Sequence, residues 1–161
     1  MLEISTERTF WGFWLGGLML LAIMAAMNPL LANETAPWAI IDHQMANTAA
    51  RVDTIQAAWA AGGNLMLARI SVAIDLVFIE VYSWGAYCGG RMMRREASPV
   101  LKRLGTVVMI AAALYPLLDY TETICQFVQV MTFKGSDTLA HIAATVRPVK
   151  SVDFLDRKSV V

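Results

Sequence analysis

The chain has 161 residues, 57% of them hydrophobic and only 16% charged, with a formal net charge of +0 at pH 7. A soluble domain is nearer half apolar and a quarter charged, so this excess, gathered into long blocks, argues for a membrane protein. The charge balance gives no sign of the basic surface that nucleic-acid binding needs, and Cys88 and Cys125 fall at different depths of different apolar segments, which argues against a disulfide.

The first predicted element is Phe10 to Leu31, a run of 22 residues without a charge. At about 1.5 Å of rise per residue it reaches roughly 33 Å, enough to cross a bilayer core. Asn28-Pro29 near its end predicts a kink or stop. Before it, Arg8 stands against Glu3 and Glu7, and the apolar stretch exceeds that of a usual signal peptide. An uncleaved helix is therefore expected.

Ala32 to Asn64 carries a second kind of helix. Val52, Ile55, Ala58 and Trp59 recur at helical spacing, Asn47 is a candidate cap, and Gly62-Gly63 is the stop. Arg51, Asp53 and Gln56 are expected off the apolar face. This reads as an amphipathic helix on the extracytoplasmic side, either a plain interfacial connector or a lid over a cavity. Trp38 and Trp59 suit the headgroup region.

The second span is expected over about residues 65–89 and the third over about 104–133, with Ser98-Pro99 as cap and first-turn proline. Between them, Gly90 to Arg103 holds Arg91, Arg94, Arg95, Lys102 and Arg103 against Glu96 alone. The positive-inside rule puts this loop in the cytoplasm. By alternation the N-terminus is cytoplasmic too, and Ala32 to Asn64 and the chain after Gly135 lie outside.

From Ser136 an apolar face begins again with Leu139, Ile142, Ala143 and Val146, capped by Ser136 or Asp137, as the start of a fourth span from about residue 137. The final Asp156-Arg157-Lys158-Ser159-Val160-Val161 reads as the translation of a common sequencing adapter. The natural domain is taken as residues 1–155, continuing past Leu155 into the rest of that span. The expected fold is thus an all-α membrane protein. It is an antiparallel bundle of three complete transmembrane helices plus part of a fourth, with the amphipathic extracytoplasmic helix.

The third span holds the sharpest chemical feature. Asp119, Glu122, Gln126 and Gln129 are spaced three, four and three apart, which draws one polar stripe down a helix. An acid at the bilayer centre costs about 2.5–3.5 kcal/mol on insertion scales, so the stripe must face protein or a wet cavity. The second span offers Asp75 at similar depth, with Tyr82 two turns along on the same face and Glu80 displaced around the helix. Asp75, Tyr82, Asp119, Glu122 and Gln126 are the expected intramembrane cluster, and Arg69, Arg147 and Lys150 are candidate counter-charges. Clustered carboxylates at low dielectric share protons or recruit a cation. Two readings stay open: a site that binds or conducts a proton, cation or small polar solute, and a hydrogen-bonded network that only holds helices together.

Gly12-x-x-x-Gly16 and Gly85-x-x-x-Gly89 fall at matching cytoplasmic depth, so Gly12, Gly16, Gly85 and Gly89 are expected to bring the first two spans close. His43 and His141 both lie outside the spans, and with Asp42 they show no recognisable ligand spacing, so no metal or cofactor is expected. The absence of a phosphate loop, HExxH or GxSxG pattern leans away from an enzyme. The expected partners are the lipid bilayer and a second copy or other membrane subunits.

The segment Ile40 to Trp59 (IIDHQMANTAARVDTIQAAW), the pattern Asp75-x-x-Phe78-x-x-x-Tyr82 and the pattern Asp119-x-x-Glu122 together resemble a family of small bacterial inner-membrane proteins with four spans. That family has Asn after the glutamate where this chain has Thr123. The resemblance covers most of Trp38 to Lys150. It implies a four-span fold in the inner membrane and no activity.

Overall fold

A computed structural model describes the backbone of residues 2–150 and the side chains of residues 7–146. The expected adapter-derived tail lies outside the described residues. Among them there are six helices and no strand: α1 Leu2–Leu31, α2 Ile40–Gln44, α3 Ala49–Ala61, α4 Leu65–Arg95, α5 Pro99–Thr132 and α6 Asp137–Lys150.

The long helices run past the boundaries read from charge. Helix α1 begins at Leu2, because no proline or glycine breaks the chain before Phe10 and the charged residues of the first turns are good helix formers. Pro29 sits in its final turn, where one lost hydrogen bond matters little. Helix α4 continues six residues beyond Gly89, and α5 starts at Pro99, so the expected basic loop shrinks to residues 96–98. Met and Arg propagate a helix well, and Pro99 is preorganised for a first helical position. The Lys102 amide then donates to the Ser98 carbonyl at 3.1 Å.

Helix α5 stops at Phe133, which adopts a left-handed φ of 53°. The next amide, Lys134, reaches back to the Gln129 carbonyl at 3.2 Å, the closure that ends many helices. Thr48, not Asn47, caps α3: its hydroxyl accepts from the Arg51 amide at 3.3 Å. Asn47 takes a left-handed φ of 58°, which suits its short amide side chain, and its Oδ1 lies 2.9 Å from His141 Nδ1. Ser136 caps α6, while Asp137 accepts from the Ala49 amide at 2.7 Å and so serves the start of α3. Asp53 returns the contact by accepting from the Gly135 amide at 2.5 Å. A side chain at Gly135 would meet Ala49 Cα at 2.8 Å, so this turn needs glycine.

Two helices are long and apolar enough to cross a membrane: α1 from Glu7 to Leu31, and α5. Only 6% and 17% of their most apolar stretches are buried, which separates them from the core helices of a soluble protein. Helix α5 is inside-out by soluble standards. Leu114, Leu117, Ile124 and Val128 are exposed, whereas Glu122, Gln126 and Gln129 are buried. An exposed apolar surface of that extent calls for lipid or a partner. Helix α4, expected as a third span, is long enough at 31 residues but is not among these two, since Arg69, Asp75 and Glu80 interrupt its apolar character.

The chain divides into two compact units, Met1–Ala25 with Ile74–Tyr120, and Ala26–Ala73 with Thr121–Val161. In the first, α1 and α4 run antiparallel. Phe13 packs at 3.4 Å from the Cβ position of Gly85, and the Phe10 ring at 3.2 Å from that of Gly89. Gly16 faces Val81 at 3.8 Å, while Gly12 has no neighbour within 4 Å. Small residues of α4 thus receive aromatic rings of α1. A tighter contact than these joins α4 to α5 through Gly90 and Gly105, which the sequence reading assigned to no contact. A methyl added at Gly105 would lie 2.5 Å from the Gly90 carbonyl oxygen.

The core of the second unit forms around Leu31, Ala36, Ala39, Val52, Ile55, Trp59, Ala68, Val130 and Ala140. An isolated helix of 13 residues is marginal in water, so α3 owes its stability to this docking. Full burial of Val52, Ile55 and Trp59 contributes about 1.5–3 kcal/mol each.

Candidate functional site

Each unit holds polar side chains that an apolar protein interior or a bilayer would otherwise reject. In the first unit they tie α4 to α5. The Tyr82 hydroxyl donates to Asp119 Oδ2 in a short hydrogen bond. One step around the helices, the Tyr120 hydroxyl lies 3.0 Å from Glu80 Oε2 and 3.3 Å from the Leu76 carbonyl oxygen. Glu80 also accepts from the Trp84 indole at 2.6 Å. The displacement of Glu80 from the Asp75 face thus has a physical partner, Tyr120, to which the sequence analysis gave no role; its helical neighbourhood on α5 does not say which residue of α4 it meets. Asp75 is half-buried and makes interactions of its own. Tyr82 also lines an apolar cavity of about 740 Å³, together with Phe13, Trp14, Phe78 and Gly85.

In the second unit the polar stripe of α5 continues. Glu122, Thr123, Gln126 and Gln129 are all buried, as is Ser71 of α4. Gln129 uses both ends of its amide: its Nε2 donates to the Cys125 carbonyl at 3.0 Å, and its Oε1 accepts from the Ser136 amide at 3.0 Å. Gln126 Nε2 reaches the Ile40 carbonyl of α2 at 3.5 Å. Arg69, expected as a counter-charge for the acids, instead donates to the Val130 and Met131 carbonyls at 3.1 and 3.4 Å. These are last-turn carbonyls of α5, whose partial negative charge attracts a cation. The side chains of Arg147 and Lys150 lie outside the described residues.

The segment between α1 and α4 adds two buried polar groups that the sequence reading did not place in a core. His43 on α2 is 2% exposed and Gln56 on α3 is 0% exposed. Gln56 was expected away from the apolar face. It stands four residues after Val52 and three before Trp59, which is a core position, and that spacing was the signal available. Its Nε2 lies 3.3 Å from His43 Nε2. The His43 ring stacks on Trp59 with centroids 5.5 Å apart and planes 20° apart. The Trp59 indole is itself fixed by donating to the Leu31 carbonyl at 2.8 Å. Burial disfavours the imidazolium and lowers the His43 pKa to about 4, so the ring is neutral at physiological pH.

Asp75, Tyr82 and Asp119 therefore belong to the first unit, and Glu122 and Gln126 to the second. Tyr82 and Asp119 are brought into direct contact. Among the described residues no group of three or more His, Cys, Asp or Glu is placed to hold a metal ion. Comparison with known proteins finds no matching family, no matching curated protein and no matching solved structure.

Proposed function

We propose that the chain is a multi-pass integral membrane protein of the bacterial inner membrane whose buried acids bind or conduct a proton, a cation or a small polar solute. In this reading α1, α4 and α5 are three complete spans of an antiparallel bundle, α6 begins a fourth, and α3 is extracytoplasmic. The resemblance to four-span inner-membrane proteins supports the same arrangement. The observation that carries the reading is the inside-out face of α5, with Glu122 buried beside Gln126 and Gln129 while leucine and isoleucine point outward. A carboxyl kept from both water and lipid is held neutral or beside a positive partner, and a neutral carboxyl is a group that can take up and release a proton.

The test is flux. Purified protein in liposomes loaded with a pH-sensitive dye should pass protons down an imposed gradient. Asp119→Asn should remove most of that flux while the variant stays folded, because the amide keeps the shape and loses the charge. A folded wild type that passes no protons and binds neither a cation nor a small polar solute would sink the reading.

A second reading is favoured by the ties between helices. Tyr120 to Glu80 and Arg69 to the end of α5 serve packing. In it the protein is a non-catalytic accessory or scaffold. Asp119→Asn then changes thermal stability by about 1 kcal/mol, the worth of one hydrogen bond, and no flux is seen in either form.

Orientation is tested separately. The proposed orientation, with the N-terminus in the cytoplasm, rests on Arg91, Arg94 and Arg95 through the positive-inside rule. With Cys88 and Cys125 replaced by Ala, a cysteine at position 95 should resist an impermeant thiol reagent applied from outside, and one at position 58 on α3 should react. The reverse pattern would invert the topology.

A further inference from the structure

The apolar cavity of about 740 Å³ in the first unit is a groove with two unlike ends. Every residue lining it belongs to that unit. Phe13 of α1 and Phe78 of α4 wall it. Its lining carries one charged side chain, Glu96 just past the end of α4, and one hydroxyl, that of Tyr82. The Tyr82 hydroxyl gives its single proton to Asp119. The Phe78 end therefore suits an apolar guest and the Glu96 end a charged one.

Length and charge narrow the occupant. From Phe78 to Glu96 is about 27 Å along α4, at roughly 1.5 Å per residue. One leaflet with its headgroups is about 20–22 Å deep, so the groove takes a lipid from head to tail. Its volume falls within the roughly 300–1,000 Å³ of small-molecule sites, room for one acyl chain. Met92 and Met93 line it near the charged end and adapt to a flexible guest. Charges of both signs meet there. The Gly105 Cβ position is 2.5 Å from the Gly90 carbonyl oxygen, which puts the end of α4 beside the start of α5. Arg91, Arg94 and Arg95 thus gather with Lys102 and Arg103 around one lining carboxylate, Glu96, while Glu7 and Arg8 of α1 cancel. A lipid phosphate suits the basic groups, and an ammonium suits Glu96. A purely anionic headgroup leaves that carboxylate facing a phosphate, and a quaternary ammonium offers it no N–H.

We propose that this groove binds one phospholipid with a primary-ammonium headgroup, the chemistry of phosphatidylethanolamine. One acyl chain lies along Phe13 and Phe78, the ammonium donates to Glu96, and the phosphate rests among the basic side chains. The inference rests on the reading of the chain as a membrane protein. It needs neither proton flux nor a given topology, so a chain that is inactive in the liposome assay leaves it standing.

The full-length chain in mild detergent is titrated with phosphatidylethanolamine carrying a diazirine at the end of one acyl chain, then irradiated and digested. Saturable labelling by one lipid per chain is expected, on the peptides holding Leu18 to Leu21 and Phe78 to Tyr82. Unlabelled phosphatidylethanolamine should compete about fivefold better than phosphatidylcholine or phosphatidylglycerol of the same chains, the worth of one exposed charge pair. Glu96→Gln should abolish that preference and keep the labelled peptides, because it removes the charge and leaves the groove. Glu96 is exposed, so this variant should fold, and the wild-type competition decides the matter even if it does not. Labels spread without saturation over the exposed faces of α1 and α5 would mean bulk lipid contact only and overturn the proposal. Equal competition by the three headgroups in the wild type overturns it too, as does a dimer whose Phe78 region resists the label. A chain that stays folded and monomeric without detergent refutes the membrane reading, and this proposal with it.

Discussion

Replacing Gly105 with leucine is expected to lower the melting temperature in detergent by roughly 10 °C or to prevent folding altogether. Even the first carbon of the new side chain would lie 2.5 Å from the Gly90 carbonyl oxygen and 2.9 Å from the Arg94 amide nitrogen. Both neighbours are helix backbone, which cannot turn aside as a side chain does. Overpacking a deformable core costs about 1–3 kcal/mol, so prying apart two helices should cost at least the upper end. For a chain of this length each kcal/mol moves the midpoint by about 2–4 °C. Gly12→Ala is the control, because nothing lies within 4 Å of the Gly12 Cβ position. There the loss of glycine freedom should leave stability unchanged or raise it by about 0.4–1 kcal/mol. Equal effects at the two positions would mean that α4 and α5 do not meet at Gly90 and Gly105.

Acidification should destabilise the second unit through His43. Its pKa is lowered from 6.5 to about 4 by burial. Between those values the unfolded chain binds a proton that the folded chain refuses, so stability falls as pH drops. The contribution is fully present above pH 6.5, is lost progressively down to about pH 4, and changes no further below that. At about 1.4 kcal/mol per pKa unit the whole span is worth on the order of 3 kcal/mol. Phenylalanine at position 43 keeps a ring against Trp59 and cannot titrate. The denaturation midpoint of wild type should therefore fall between pH 7.5 and pH 4.5 by clearly more than that of His43→Phe. Carboxylates elsewhere titrate equally in both proteins and cancel in the difference. Parallel pH profiles would show that His43 is protonated without cost and so is not buried as the fold places it.

Composition and spacing by themselves determined a good deal about this protein. The charge-free run from Phe10 to Leu31 and the apolar block around Leu114 become α1 and α5, because twenty apolar residues in a row have one economical solution, a helix in an apolar medium. The stripe Glu122, Gln126, Gln129 is buried because its spacing confines it to one helical face. Val52, Ile55 and Trp59 dock for the same reason. Boundaries were less legible. The basic residues near Arg94 end the apolar run of the sequence, yet they propagate a helix well, so α4 ran on to Arg95.

What only the tertiary structure decided is which partners meet. Nothing local distinguishes Gly90 and Gly105 from Gly12 and Gly16, since the value of a missing Cβ depends on what lies opposite. Arg69 left the acids for the last carbonyls of α5, a choice set by where that helix ends in space. His43 and Gln56 are separated by 13 residues and a turn. Their meeting, with Gln126 arriving from α5, follows from the docking of α2 and α3 and from no periodicity in the chain. Periodicity assigns a side chain to a face of its own element, and only the packing of elements assigns that face a neighbour.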